Sequence, residues 1–422
     1  MDGSPGRPPR KMKPVKPRPY AVTLALAVLA VLLVTGIVTY PEQAFQASLK
    51  GLSIWWNIVF PAMLPFLILA EIMIAFGVMH FFGVWLDPLM RRGFRLPGES
   101  GVALSMSAMC GYPAGARTAA VLREKGLLTR EEGERLLAVS FMCSPVFVIA
   151  VVGIGFFRSA SFGWMLFVLH MASWLVTALI YRMFSGKDLL RDTARLASSR
   201  DGNLLNHSLQ AMNRARREDG RSFGKLLGDS VTQSVQTMLM VGGFMMLFSV
   251  ILEIADASGL VPAAAGRLQT LVRMLGLPEH MILPGWAGFM EIHLGTQAAG
   301  AAEMPPSWQA ALAGAVLAWG GLSVHAQVKS LTASTGLSLA LYLKTRMLHA
   351  LTAFILTLAL WKPLLYWSDV IRASANAEIP ARVPEPMPNL WLALPGAAVW
   401  GAAVLLALLL GSWIVRTMLS SK

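Results

Sequence analysis

The chain has 422 residues, of which 55% are hydrophobic and only 14% charged, with a formal net charge of +13. A soluble globular chain carries about 25% charged residues, and several stretches here hold roughly 20 apolar residues, enough to cross a hydrocarbon core. The composition therefore excludes a soluble domain and reads as a polytopic membrane protein, with the basic residues beside apolar spans, where they orient the chain and meet anionic lipid, rather than on a nucleic acid.

Residues 1–20 form a basic, proline-rich tail. The apolar run over 21–38 is longer than the core of a signal peptide and lacks a small-x-small cleavage site, so it reads as a first membrane helix. Residues 41–184 form a first unit. An amphipathic stretch over 41–58 leads into a span over 60–86, followed by an apolar segment over 99–125 that is broken at GYPAG. The segment 129–157 is interrupted by CSPV at 143–146, and a span covers 162–184. The polar stretch 185–221 shows little apolar periodicity and reads as a partly flexible cytoplasmic linker.

Residues 222–360 form a second unit. It opens with an amphipathic stretch over 223–236 and a span over 237–257. The segment 279–300 carries EIHLGTQ, the segment 308–335 is interrupted by WGGLSVHAQ, and a span covers 337–360. A polar, proline-bearing extracytoplasmic loop over 361–389 and a last helix over 390–415 complete the chain.

The two units match in order. EIMIAFG, from Glu71 to Gly77, pairs with EIADASG, from Glu253 to Gly259. Leu96 and Pro97 pair with Leu277 and Pro278, the GYPAG break falls on the IHLGT break, and Ser144 corresponds to Ser323. One order and nearly one spacing define an internal repeat. The basic tail and the arginine-rich linker belong inside by the positive-inside rule, so the first unit runs from outside to inside and the second from inside to outside. The expected fold is all-α, with two inverted-topology repeats built on re-entrant or broken helices and one extra membrane helix at each end. Three crossings per repeat satisfy this if 99–125 and 279–300 are re-entrant hairpins.

The breaks are where chemistry is expected. Proline ends a helix and begins one well, so Pro113 would start a second half-helix after Gly111. Such a start presents free N–H groups to a polar ligand group. No charge occurs between Gly101 and Ala116, which favours a hairpin buried at membrane depth over an aqueous loop. Glu291 and His293 lie in an apolar segment, where ionisable groups are costly and by default functional, although pairing with neighbours would also explain them. The expected substrate-binding set is Ser107, Cys110, Gly111, Tyr112, Pro113, Gly115, Ser144, Pro145, Glu291, His293, Gly295, Thr296, Gln297, Ser323, His325 and Gln327. Small residues packing helix against helix are the competing reading for the serines and glycines. Glu71 and Glu253 are acids for ion coupling or, more in keeping with the sequence, caps of a half-helix N-terminus. TREE, from Thr129 to Glu132, is a capping box and a structural feature.

Cys110 and Cys143 lie in apolar or motif-like segments, so no disulfide framework is expected, and no metal-ligand spacing, Walker sequence or nucleophile elbow is present. No cofactor, metal or catalytic role is expected.

MCGYPAGARTA, SFMCSPVF, EIHLGTQ and GGLSVHAQVKS, in this order, resemble the nucleoside recognition (Gate) domain family, and within it the sporulation integral membrane proteins of endospore-forming bacteria. The likeness covers about residues 40–365. His293 stands where the family pattern has threonine. The resemblance implies a cell-membrane protein needed for the spore cortex, and kinship with concentrative nucleoside transporters and the membrane gate of ferrous-iron transporters. Two functions follow. One is a transporter or channel for a polar small molecule such as a nucleoside or an envelope precursor. The other is a non-transporting scaffold or sensor that recruits sporulation membrane proteins through the basic linker, with self-association left open.

Overall fold

The computed structural model describes residues 20–184 and 204–376, and among these no strand occurs. The helices, in chain order, are α1 (Tyr20–Thr39), α2 (Pro41–Ala75), α3 (Val78–Pro88), α4 (Ser100–Cys110), α5 (Tyr112–Glu124), α6 (Arg130–Val139), α7 (Phe147–Phe156) and α8 (Ala160–Phe184). They continue with α9 (Leu204–Asp219), α10 (Phe223–Ala257), α11 (Leu260–Met274), α12 (Ile282–Met290), α13 (Ile292–Ala301), α14 (Pro306–Trp319), α15 (Gly321–Leu331) and α16 (Ala340–Asn376). Among the described residues, five stretches are long and apolar enough to cross a membrane: α2, residues 160–183, α10, the broken pair α14–α15 and residues 340–365. The helix expected over 390–415 and the basic tail before Tyr20 lie outside the described residues.

Two 35-residue helices, α2 and α10, form a frame. The sequence separates an amphipathic stretch over 41–58 from a span over 60–86. The structure instead runs one helix to Ala75 and turns at Gly77. Pro61 and Pro65 fall in this helix, and a π-helical stretch at Trp55–Val59 precedes them. Such a widened turn absorbs the hydrogen bonds that proline cannot make. Packing on α10 holds the helix together across that turn. The Trp55 indole donates to the Met238 carbonyl at 2.9 Å, and the Ser249 hydroxyl donates to the Ala47 carbonyl at 2.8 Å. The divided second-unit span is likewise a single helix, α10.

The core is centred on the broken helix α14–α15, on α8 and on the inner face of α16. Of its most apolar window, α14–α15 buries 78% and residues 160–183 bury 61%, against 17% for α2 and 22% for α10. Leu104, Leu136, Leu166, Leu317 and Tyr342 are fully enclosed there. α1 is apolar on every side and exposed along most of its length, the signature of a helix against hydrocarbon.

The element order recurs. A frame helix ends at a left-handed glycine, Gly77 at φ 79° or Gly259 at φ 78°. An arm follows, α3 or α11, then a hairpin, α4–α5 or α12–α13. A broken helix comes next, α6–α7 or α14–α15, and then a long helix, α8 or α16.

Two loop expectations are corrected. Part of the linker is helical, because residues 204–219 carry an amphipathic face, with Leu204, Ser208, Met212 and Ala215 on one side, and α9 lays that face against α3 and α2. The loop expected from 361 is helical as far as Asn376, with Pro363 inside α16. Proline is tolerated in membrane helices when neighbours re-satisfy the freed groups, and the adjacent Trp361 is buried against Phe162, with ring centroids 4.9 Å apart.

Candidate functional site

The first hairpin turns at Gly111, with φ 86° and ψ −172°. This combination is essentially restricted to glycine. α5 begins at Tyr112, with Pro113 in its first turn, and no side chain caps it. The hairpin closes through small residues, since a Cβ on Gly115 would lie 2.7 Å from the Ser107 Cβ. The second hairpin turns at Glu291, in extended conformation at φ −145° and ψ 129°, and closes in the same way. A Cβ on Gly295 would lie 2.0 Å from the Gly288 Cα.

Each hairpin tip rests on the broken helix of its own half. The atoms nearest a Cβ on Gly111 belong to Ser144 and Met142, the closest at 3.4 Å, and the Ser107 hydroxyl accepts the Met142 N–H at 3.1 Å. A Cβ on Gly321 would lie 3.0 Å from the Glu291 Cα and the Met290 carbonyl. The two halves meet across these breaks. The Tyr112 hydroxyl donates to the Leu317 carbonyl at 2.5 Å and also contacts the Cys143 thiol. Phe141 stacks on Tyr112 and presses on Gly320, whose Cβ would lie 3.0 Å from the Phe141 ring. The Phe147 ring meets His293 edge-on at 4.8 Å. All four sequence-predicted breaks therefore form one buried cluster, with the broken helices standing between the two hairpin tips.

The polar groups in the cluster have distinct partners. The Glu291 carboxylate accepts the Leu294 N–H at 2.8 Å, capping α13, and pairs with His293 Nδ1 at 2.7 Å. The Ser323 hydroxyl reaches the same carboxylate at 3.5 Å. The Ser144 hydroxyl accepts the Phe147 N–H at 3.2 Å, as a helix cap does. The Thr296 hydroxyl donates to the Ile292 carbonyl at 2.7 Å. His325 Nδ1 meets the Tyr342 hydroxyl at 2.9 Å, and its Nε2 has no hydrogen-bond partner among the described residues. Gln327 is buried, while Cys110, Pro113, Pro145 and Gln297 are half-buried. Both cysteines are free. Glu71 and Glu253 occupy matching, half-buried places on the frame helices. The capping role expected of them is not made, because no side chain caps α4, α5 or α12, and α13 is capped by Glu291.

One residue of the cluster escapes the sequence pattern. Arg346, on α16, is fully enclosed. It donates to the Ala138 carbonyl at 2.9 Å and the Phe141 carbonyl at 3.0 Å, and its guanidinium lies 4.4 Å over the Phe141 ring. It thus satisfies the carbonyls freed where α6 ends. Behind it, His349 links Arg346 to the Ser173 hydroxyl, and His170 accepts the Cys143 N–H at 3.3 Å. The available signal was a cation inside an apolar span, the same rule that singled out Glu291.

With this geometry in hand, the family described as Nucleoside recognition (Gate) matches residues 57–163, a segment that runs from α2 through the first hairpin into α8. The sporulation integral membrane protein YlbJ of Bacillus subtilis is 35% identical to this chain over 352 residues, covering 82% of this chain and 85% of that protein. No solved structure matches.

Proposed function

Because the chain belongs to the family of the sporulation integral membrane protein YlbJ, we propose that this integral membrane protein is a transporter or channel that serves spore cortex formation. Its cargo is a polar small molecule such as a nucleoside or an envelope precursor. The observation that carries the reading is the convergence of two hairpin turns and two broken helices on one buried cluster, from Gly111 and Ser144 in one half to Glu291 and Gly321 in the other. Non-helical backbone at membrane depth is tolerated where it is enclosed by protein or lines a path. Discontinuous helices at a repeat interface are how many secondary transporters build their sites.

In this reading the two halves are inverted repeats in the cell membrane, with the N-terminus in the cytoplasm. Movement of the hairpins and broken helices against the α2–α10 frame opens the cluster first to one side and then to the other. The cluster binds cargo through hydroxyls, amides and backbone groups, and performs no covalent chemistry.

The test is flux. Purified protein in liposomes is given a panel of nucleosides and soluble envelope precursors, beside Gly111→Ala and Glu291→Gln variants that reach the membrane. Flux of one panel member that falls at least about tenfold in both variants supports the site. Undiminished flux in both removes it. Deletion of residues 185–221 separates the scaffold reading, in which sporulation fails without the linker and survives changes at the breaks.

A further inference from the structure

The two arms leave their frame helices through the same kind of hinge, yet among the described residues only one hinge is covered. Gly77 and Gly259 share a left-handed conformation, with φ 79° and 78°, and each precedes the first turn of its arm. Over Gly77 lies the linker helix α9. A Cβ at that position would fall 2.4 Å from the Met212 carbonyl oxygen and 3.0 Å from the Ala215 Cβ. At Gly259 the same added atom meets nothing within 4 Å among the described residues. α9 runs along α3, whereas α11 packs only on α10, α12 and the short turn before α12 among the described residues.

The C-terminal end of α9 is tied down as well. The Arg216 guanidinium lies 5.3 Å over the ring of Phe76, the residue before the hinge. Arg216 also donates to Asp219 at 3.3 Å and to the Arg221 carbonyl at 2.8 Å. Arg221 then bridges two elements, holding Asp219 of α9 at 2.7 Å and Asp229 of α10 at 3.1 Å. Its hydrogen bonds keep the Asp219 carboxyl below the ordinary carboxylate range. Partly exposed ion pairs of this kind hold weakly and release readily.

From this juxtaposition we propose that α9 is a releasable latch on the first arm. While docked, it roofs the Gly77 hinge and fixes α3 to the frame, so that the first half is held and the second half is free to move. Undocking α9 makes the two arms equivalent. The latch stands apart from the transport reading, because docking is a property of the fold whether or not a solute crosses.

Hydrogen exchange on the full chain in lipid nanodiscs reads it directly. In the unaltered protein, amides around residues 76–82 exchange more slowly than those around 258–264. Gly77→Ala drives the new methyl into the Met212 carbonyl, so exchange across α9 and α3 rises by about tenfold or more. Gly259→Ala imposes the same backbone strain with no collision and leaves α9 unchanged. Arg221→Gln, which adds no bulk, raises exchange across α9 and the Gly77 hinge together by about threefold. The latch is overturned if the two glycine variants loosen α9 equally, or if Arg221→Gln loosens α9 while the hinge stays protected. It is equally overturned if the folded Gly77→Ala protein keeps α9 protected.

Discussion

The first hairpin turns on a glycine held at φ 86° and ψ −172°, and the second turns on a glutamate in ordinary extended conformation at φ −145° and ψ 129°. At the first turn the backbone does the work and the charge comes from elsewhere, with Arg346 of α16 binding the carbonyls of Ala138 and Phe141 behind the tip. At the second turn the charge is in the break itself, and Glu291 caps its own helix while holding His293. The two halves thus use different backbone turns and opposite charges, a cation behind the first tip, where α6 ends, and an acid in the second turn itself. A shared order of elements in the two halves does not imply shared chemistry, and changes at matched positions should fail by unequal amounts.

The largest inequality is expected at Glu291. Glu291→Ala strips the Leu294 N–H and His293 of their acceptor inside a buried site, at a cost of about 3–5 kcal/mol. Glu291→Gln keeps an amide oxygen for the cap and costs about 1–2 kcal/mol. Unfolding in mixed micelles measures both. Near-equal losses would mean that shape, and not the carboxylate, holds the second break. Gly111→Ala comes next. Its nearest neighbour is 3.4 Å away, so the added methyl has room, and the penalty is conformational, about 1–3 kcal/mol. A loss as large as that of Glu291→Ala would place a hidden collision at the first break and erase the distinction between the two.

The same contrast explains what the sequence disclosed. Glu291 declares itself, because a carboxylate in an apolar segment is costly wherever the chain goes. GYPAG declares itself through residue types that end and begin helices. Arg346 offers the same signal, a cation in an apolar span, but not its role, because its partners are carbonyls more than 200 positions earlier in the chain, with a separation of 205 to Phe141. The continuity of α2 through Pro61 and Pro65 was hidden for the same reason, since the helix is held by Met238 and Ser249 of α10. α9 is a different case, because its amphipathic pattern is present in the sequence, in Leu204, Ser208, Met212 and Ala215, whereas the surface it docks on, at the Gly77 hinge, is not. Local signals located the breaks, and long-range contacts decided what supports them.

Ser144 and Ser323 give the smallest and sharpest test. The sequence pairs them as equivalents, but the structure gives them different work. The Ser144 hydroxyl accepts a backbone N–H at 3.2 Å at the start of a helix, and its loss in Ser144→Ala should cost about 1 kcal/mol, as a missing cap does. The Ser323 hydroxyl reaches Glu291 at 3.5 Å, the outer limit of a hydrogen bond, while that carboxylate already holds two better partners. Ser323→Ala should cost no more than about 0.5 kcal/mol, and a double-mutant cycle with Glu291→Gln should show coupling of that size or less. A coupling well above it would make Ser323 a working partner of the carboxylate. The second break would then be held by three groups and not by a glutamate and histidine alone.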